Sequence, residues 1–201
     1  AEVAALWGVP SVPEKPGKTA VEMFQAAADG EIRALWIACT NPAQSMPDQA
    51  TVRRALARCE FVVVQEAFAT TASCGFADLL LPATTWGEKT GTVTNSERRI
   101  SRVRPAVAAP GEARHGWATA VDFARRLEAL LPARAACSLF PYALDSEAGA
   151  EAIWNEHRES TRGRDLDITG LSWSLLDAQG PQQWPCPAAP AGGGHDGRNT
   201  A

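Results

Sequence analysis

The chain has 201 residues, 45% hydrophobic and 21% charged, with a formal net charge of −4 and a pI of about 5.4. This is the make-up of one ordinary globular domain with room for a tail. It excludes the basic footprint of a nucleic-acid binder, and no apolar run reaches the length that spans a bilayer, so neither nucleic acid nor membrane is expected as a partner.

Residues 8–18 hold three prolines, two glycines and two lysines and read as an irregular lead-in. Thr19 with Glu22 three residues later predicts a capped helix start, and Asp29-Gly30 predicts its end, glycine suiting the left-handed position. Ala34 to Cys39 is a short apolar run that suits a strand covered on both faces. Thr40-Asn41-Pro42 stops it, because proline disfavours the helical region for the residue before it. Asp48 opens a second helix, with Val52, Ala55, Leu56 and Cys59 at helical spacing. Phe61 to Gln65 predicts a second buried strand, residues 70–77 a short helix, and Leu79 to Leu81 a third strand ending at Pro82.

Strand and helix alternating within about 60 residues predict an α/β fold: a Rossmann-like parallel sheet flanked by helices. Residues 112–131 read as a long amphipathic helix, with Trp117, Val121, Phe123, Ala124, Leu127 and Leu131 on its buried side. A further helix is expected over 146–159. From Thr161 the chain becomes loop-like, and 188–201 is rich in Pro, Gly and Ala, the composition of a disordered tail. The expected divisions are a Rossmann-like portion over 1–132, a helical and irregular extension over 133–187, and the tail over 188–201.

In such sheets ligands lie at the carboxyl ends of the strands. Those ends are Thr40-Asn41-Pro42, Gln65-Glu66, and the stretch after Pro82. Asn41 can donate to and accept from a nucleotide, or simply close a turn on its own backbone. Gln65-Glu66 stands where an acceptor for ribose hydroxyls stands in dinucleotide folds, and equally reads as a solvated strand end. Lys89 supplies a point charge for phosphate or a guanine oxygen. The polar run from Glu88 to Arg99 is open to two readings, a binding loop or a solvated hairpin.

Other chemistry is poorly supported. There is no Gly-x-Gly-x-x-Gly, no phosphate-binding P-loop and no Gly-x-Ser-x-Gly. His115, His157 and His195 are far apart and lack acids at metal-ligand spacing. Cys39, Cys59, Cys74, Cys137 and Cys186 are widely spaced, with no Cys-x-x-Cys and no zinc-finger pairing. Reduced thiols are the simplest account, and residues 1–7 lack the basic start of a signal peptide, so a cytoplasmic location is expected.

The wording Trp86-Gly-Glu-Lys-Thr-Gly-Thr-Val-Thr-Asn-Ser-Glu-Arg-Arg99 resembles the molybdopterin-guanine-dinucleotide oxidoreductases. The likeness continues in family order through Ala5 to Pro10, Ala34 to Ile37 with Thr40-Asn41-Pro42, Phe61 to Val64, Phe76 to Pro82, and Ala109 to Arg114. Arg164 to Ile168 and Gln183-Trp184-Pro185 resemble the assimilatory nitrate reductase branch. Coverage runs over roughly residues 1–187. Formate dehydrogenases share much of this region and remain an alternative, as does a stand-alone nucleotide-binding module.

The resemblance implies an internal piece of a longer catalytic subunit that reduces nitrate to nitrite at molybdenum held by bis-molybdopterin guanine dinucleotide. It implies that Asn41, Gln65, Glu66 and Lys89 contact one guanosine tail of that cofactor. The family's amino-terminal cysteine motif for a [4Fe–4S] cluster is missing, as is any recognisable molybdenum-ligating cysteine, so catalytic and metal-ligating residues are not assigned. The implied partners are the remaining domains of the parent subunit and an electron-donor protein or domain. The family usually carries an aspartate where this chain has Gly116, which implies a weakened guanine or ribose contact.

Overall fold

A computed structural model describes residues 2–131, 138–144 and 147–189. The expected tail from residue 190 on, Cys137, His195 and the helix start at residue 146 lie outside the described residues. The described residues form two compact units, each built from separated stretches of chain. One contains residues 12–89 and 106–131; the other contains 2–11, 90–105 and the described residues from 138 to 189. This interleaving contrasts with the linear divisions at 132 and 187 expected above.

The first unit carries the parallel sheet. Helix α2 (Ala20–Asp29) follows the short α1 (Glu2–Leu6) of the other unit. It starts with the expected capping box, Thr19 and Glu22, and Gly30 ends it at φ 87°. That glycine has a second reason: a Cβ there would stand 2.6 Å from the Arg58 guanidinium. Strand β1 (Ala34–Ala38) leads through a single turn, α3 (Pro42–Ser45), into α4 (Gln49–Arg58). Pro42 sits at the first position of α3, where its missing N–H costs nothing. Strand β2 (Phe61–Glu66) and β3 (Leu79–Pro82) follow, joined by a 3₁₀ turn at Ala72–Phe76.

The sheet order is β1-β2-β3, parallel throughout, with Ala38 beside Gln65 and Glu66 beside Pro82. All three carboxyl ends therefore lie on one rim. Asp78 fixes the entry to β3: its Oδ2 accepts from Val62 N at 2.7 Å, and its own N–H donates to Val62 O at 2.9 Å. Phe24, Ala27 and Ala28 of α2 and Val52, Ala55 and Leu56 of α4 pack with Leu35, Ile37, Val62 and Val64 into one core. Each such valine or leucine contributes about 1.5–3 kcal/mol through burial.

Two expectations from sequence are corrected here. Strand β1 is not covered on both faces. Leu35 and Ile37 are buried, but Trp36 on the other face is 37% exposed and packs edge-to-face with Phe123, ring centroids 5.0 Å apart. The long helix begins later than expected, as α5 (Gly116–Leu130), because residues 113–114 run beside the end of β3 instead. Arg114 N donates to Pro82 O, and Thr84 N donates to Arg114 O. Ala118 and Val121 are the buried apolar positions of α5, with Glu128 also buried, while Phe123 and Leu127 are half exposed.

The second unit is a small antiparallel sheet with three helices among the described residues, α1 and two later ones. Strands β4 (Gly91–Thr94) and β5 (Arg99–Val103) form a hairpin, and β6 (Gln182–Gln183) pairs with β5. Asn95 shapes the turn. Its Oδ1 accepts from the N–H groups of Glu97 and Arg99, both at 3.0 Å, and Arg98 takes the left-handed conformation at φ 64°. Helices α6 (Glu147–Ser160) and α7 (Trp173–Gln179) belong to this unit. Arg102 joins them to the hairpin. Its side chain is 4% exposed and lies over the Trp173 ring at 3.5 Å. It donates to Thr90 Oγ1, Gly91 O and Val103 O, and pairs with Glu147.

Candidate functional site

A cavity of about 440 Å³ opens at the carboxyl rim of the parallel sheet. Its walls come from the end of β1 (Cys39), the end of β2 (Gln65 and Glu66), and the segment after β3, from Thr84 through Trp86 to Lys89. Every one of these residues lies in the first unit. The parallel topology causes the convergence, because strands running the same way end on the same side.

Gln65 is the last buried residue of β2, on the face opposite the core positions Val62 and Val64, and only 4% exposed. Its side-chain amide makes no hydrogen bond among the described residues. Thr84 is 6% exposed and its Oγ1 is likewise without a partner. Leaving a buried polar group unpaired costs about 1–3 kcal/mol. That cost falls on Thr84 Oγ1, which shares the cavity lining with the Gln65 amide. The side of Gln65 facing α5 is tightly bounded, since a Cβ at Gly116 would stand 3.0 Å from its Nε2. Glycine at the first residue of α5 leaves that amide its space.

Glu66 is half-buried, and its Oε1 accepts from Ala67 N at 2.7 Å and Phe68 N at 3.4 Å. Those bonds fix the carboxylate, and Oε2 has no hydrogen bond among the described residues. Lys89 is held by its own neighbourhood: Nζ lies 4.3 Å from the centroid of the Trp86 ring. Trp86 is exposed, and its indole gives the ammonium a fixed resting place at about 0.5–1 kcal/mol. Glu88 is turned away from ligand duty, since its Oε2 accepts from Thr85 N at 2.8 Å in a second capping box.

Asn41 lies on the same rim but does not line this cavity. Its Oδ1 accepts from Ser73 N at 3.0 Å and from Ser73 Oγ at 2.7 Å, and its Nδ2 donates to Gln44 Oε1 at 2.9 Å. Ser73 is fully buried and its Oγ also accepts from Ala43 N at 3.1 Å. In this structure Asn41 therefore ties the β1 loop to the 3₁₀ turn before β3. Gln65, Glu66 and Lys89 are brought together; Asn41 stands beside them with its side chain engaged.

The polar run after Trp86 divides at residue 89. Trp86 to Lys89 belongs to the cavity, whereas Gly91 to Val103 is the hairpin of the other unit. The second half thus follows the solvated-hairpin reading, with Glu97 and Arg99 3.3 Å apart and largely exposed. Sequence reasoning missed Thr84 and the position of Cys39 on the cavity wall. Nothing local signals either one. Thr84 is buried by the pairing of Ala83 with Arg114, 31 positions away. Among the described residues no group of three or more His, Cys, Asp or Glu is placed to hold a metal ion, and no helix is long and apolar enough to cross a membrane.

A parallel α/β sheet with a cavity at its carboxyl rim is the arrangement in which such folds hold ligands. Comparison with known proteins narrows the class. The family model for molybdopterin oxidoreductases matches residues 1–126, so the chain belongs to the molybdopterin oxidoreductase family. It is 42% identical over 186 residues to a nitrate reductase of Klebsiella oxytoca, covering 91% of this chain and 21% of that protein. It is 32% identical over 184 residues to formate dehydrogenase H of Escherichia coli, covering 91% of this chain and 23% of that protein. Among solved structures, acetylene hydratase from Pelobacter acetylenicus superimposes with a TM-score of 0.59 at 19% identity, covering 81% of this chain and 20% of that one. That likeness supports the fold alone. The chain spans roughly a fifth to a quarter of the length of the curated relatives it matches.

Proposed function

We propose that this chain is the part of a molybdenum-dependent nitrate reductase catalytic subunit that holds a guanosine-diphosphate tail of bis-molybdopterin guanine dinucleotide. The parent protein would reduce nitrate to nitrite. One observation carries the reading: Gln65 and Thr84, buried and with no side-chain hydrogen bond among the described residues, share a cavity with Glu66 and Lys89 at the carboxyl rim of a parallel sheet. Greater identity to the nitrate reductase relative than to the formate dehydrogenase favours nitrate as the substrate.

The residues present fit a nucleotide tail. The Gln65 amide both donates and accepts, which suits a base edge or a ribose hydroxyl. Glu66, with one oxygen already fixed, offers the other to ribose hydroxyls. Lys89, parked on Trp86, brings one positive charge to a diphosphate. When bound, the molybdenum and pterins would supply the redox chemistry, and this chain's residues position one end of the cofactor. The iron–sulfur cluster, the metal ligand and the electron donor would belong to other parts of the parent protein.

Titration calorimetry of the 201-residue chain tests the assignment. GDP should bind, and ADP should bind at least tenfold more weakly. Lys89→Met should weaken GDP by about tenfold, the equivalent of one charge-assisted hydrogen bond. Equal affinity for GDP and ADP, or GDP binding indifferent to Lys89→Met, would overturn it.

A further inference from the structure

The cavity contains one group that nucleotide binding does not use. Cys39 follows β1, is exposed, takes the left-handed conformation at φ 61°, and lines the cavity with Gln65, Glu66 and Lys89. The other described cysteines are placed differently. Cys74 is buried, with its Sγ 3.1 Å from Thr71 Oγ1 and 3.6 Å from Phe68 O. Cys59 and Cys186 are half-buried; burial pushes both thiols up in pKa, and the Asp167 carboxylate adds to the effect at Cys186. Reaction at a thiol needs access, and exposure favours Cys39 over these three.

A lone thiol would mean little by itself. Here it shares the cavity lining with Gln65, 4% exposed, and Thr84, 6% exposed, whose side chains make no hydrogen bond among the described residues. We infer that Cys39 is a thiol-modification site that gates this cavity: exchange with a low-molecular-weight disulfide places a mixed disulfide where a nucleotide would lie.

The exchange is balanced. The Cys39 thiol gives its proton to solvent, and the thiolate sulfur attacks one sulfur of the disulfide. A new S–S bond forms as the old one breaks. The electron pair leaves with the departing thiolate, which takes up a proton. Cys39 is oxidised and half of the disulfide is reduced to a free thiol. The Lys89 ammonium on the same wall favours an anionic disulfide such as oxidised glutathione. Exclusion of a nucleotide rests on the function proposed above; selective exchange at Cys39 does not.

The test treats the 201-residue chain with oxidised glutathione, locates the adduct by peptide mass spectrometry, and titrates GDP before and after. The account expects Cys39 to react at least tenfold faster than Cys59, Cys74 and Cys186. GDP affinity should fall at least tenfold and return on reduction with dithiothreitol. In Cys39→Ser the same treatment should leave that variant's GDP affinity unaltered. Slow or unselective reaction at Cys39 overturns the modification site. Full GDP binding by the Cys39 adduct overturns the gate alone. A reduced chain that never binds GDP overturns the nucleotide reading and the gate together, while the site of modification is still read independently.

Discussion

Replacing Arg102 with alanine removes the cation around which the hairpin unit packs. Its Nη1 donates to Thr90 Oγ1 at 2.7 Å, Gly91 O at 3.1 Å and Val103 O at 2.6 Å, and the guanidinium lies 3.5 Å from the Trp173 ring. One nitrogen serving three acceptors does not contribute three full bonds. A single charge-assisted hydrogen bond contributes about 1.5–3 kcal/mol, and a desolvated cation–π contact about 2 kcal/mol. The ion pairs add little, because the Glu147 and Asp177 side chains are 65% and 42% exposed and remain solvated after the change. We expect Arg102→Ala to cost roughly 3–4 kcal/mol, or about 10 °C in Tm for a chain of this size. The double variant Glu147→Ala/Asp177→Ala should cost under about 1 kcal/mol. Urea unfolding followed by circular dichroism measures both. If the double variant costs as much as Arg102→Ala, the bonds to backbone carbonyls and the indole are not what hold this unit, and the reasoning fails.

Gly116→Asp should restore the acid that the family usually carries at this position. Its Cβ would press on the flexible end of Gln65, which can turn to donate to the new carboxylate, and an acid at the first residue of a helix gains about 0.3–1 kcal/mol from the helix dipole. We expect about tenfold tighter GDP binding by calorimetry, equivalent to one added hydrogen bond; unchanged or weaker binding would contradict it. Tyr142 is the chain's one tyrosine, so its ionisation can be followed directly at 295 nm. Burial, reinforced by the Glu156 carboxylate that accepts its hydroxyl proton, pushes its pKa up to about 12. The raised value favours the neutral phenol in the fold. Its contribution is therefore fully present below about pH 10, where the unfolded phenol ionises, and is lost as pH rises toward 12. A spectroscopic midpoint near 10 in the folded chain would refute this, and Glu156→Gln should lower the midpoint.

Local signals in the sequence were read well. The Thr19 and Glu22 capping box, the Gly30 stop and the Asp48 cap each depend on residues within a few positions of one another, and each stands in the structure. The alternation of strand and helix was enough for the parallel sheet, because the β1 and β2 apolar runs and their connections lie close along the chain. What was missed depends on distant partners. Trp184 N donates to Arg98 O and Gln183 pairs with Arg99, so the hairpin belongs with residues more than 80 positions later. The apolar spacing of α5 was legible, but it could not show that Phe123 and Leu127 would stay half exposed. At the site, the positions of Gln65, Glu66 and Lys89 followed from strand ends. Thr84 could not be found that way, because a segment 30 residues later buries it. Asn41 shows the converse: its position at a strand end was clear, but its bonds to Ser73 arise only from the fold.

The account makes its sharpest commitment about where a guanine nucleotide sits, and amide chemical-shift mapping of the isotope-labelled chain during GDP addition reads that location residue by residue. Perturbations concentrated at Cys39, Gln65, Glu66 and the stretch from Thr84 to Lys89 are the predicted result. Perturbations confined to the Gly91–Val103 hairpin, or a spectrum left unchanged at saturating nucleotide, would contradict it.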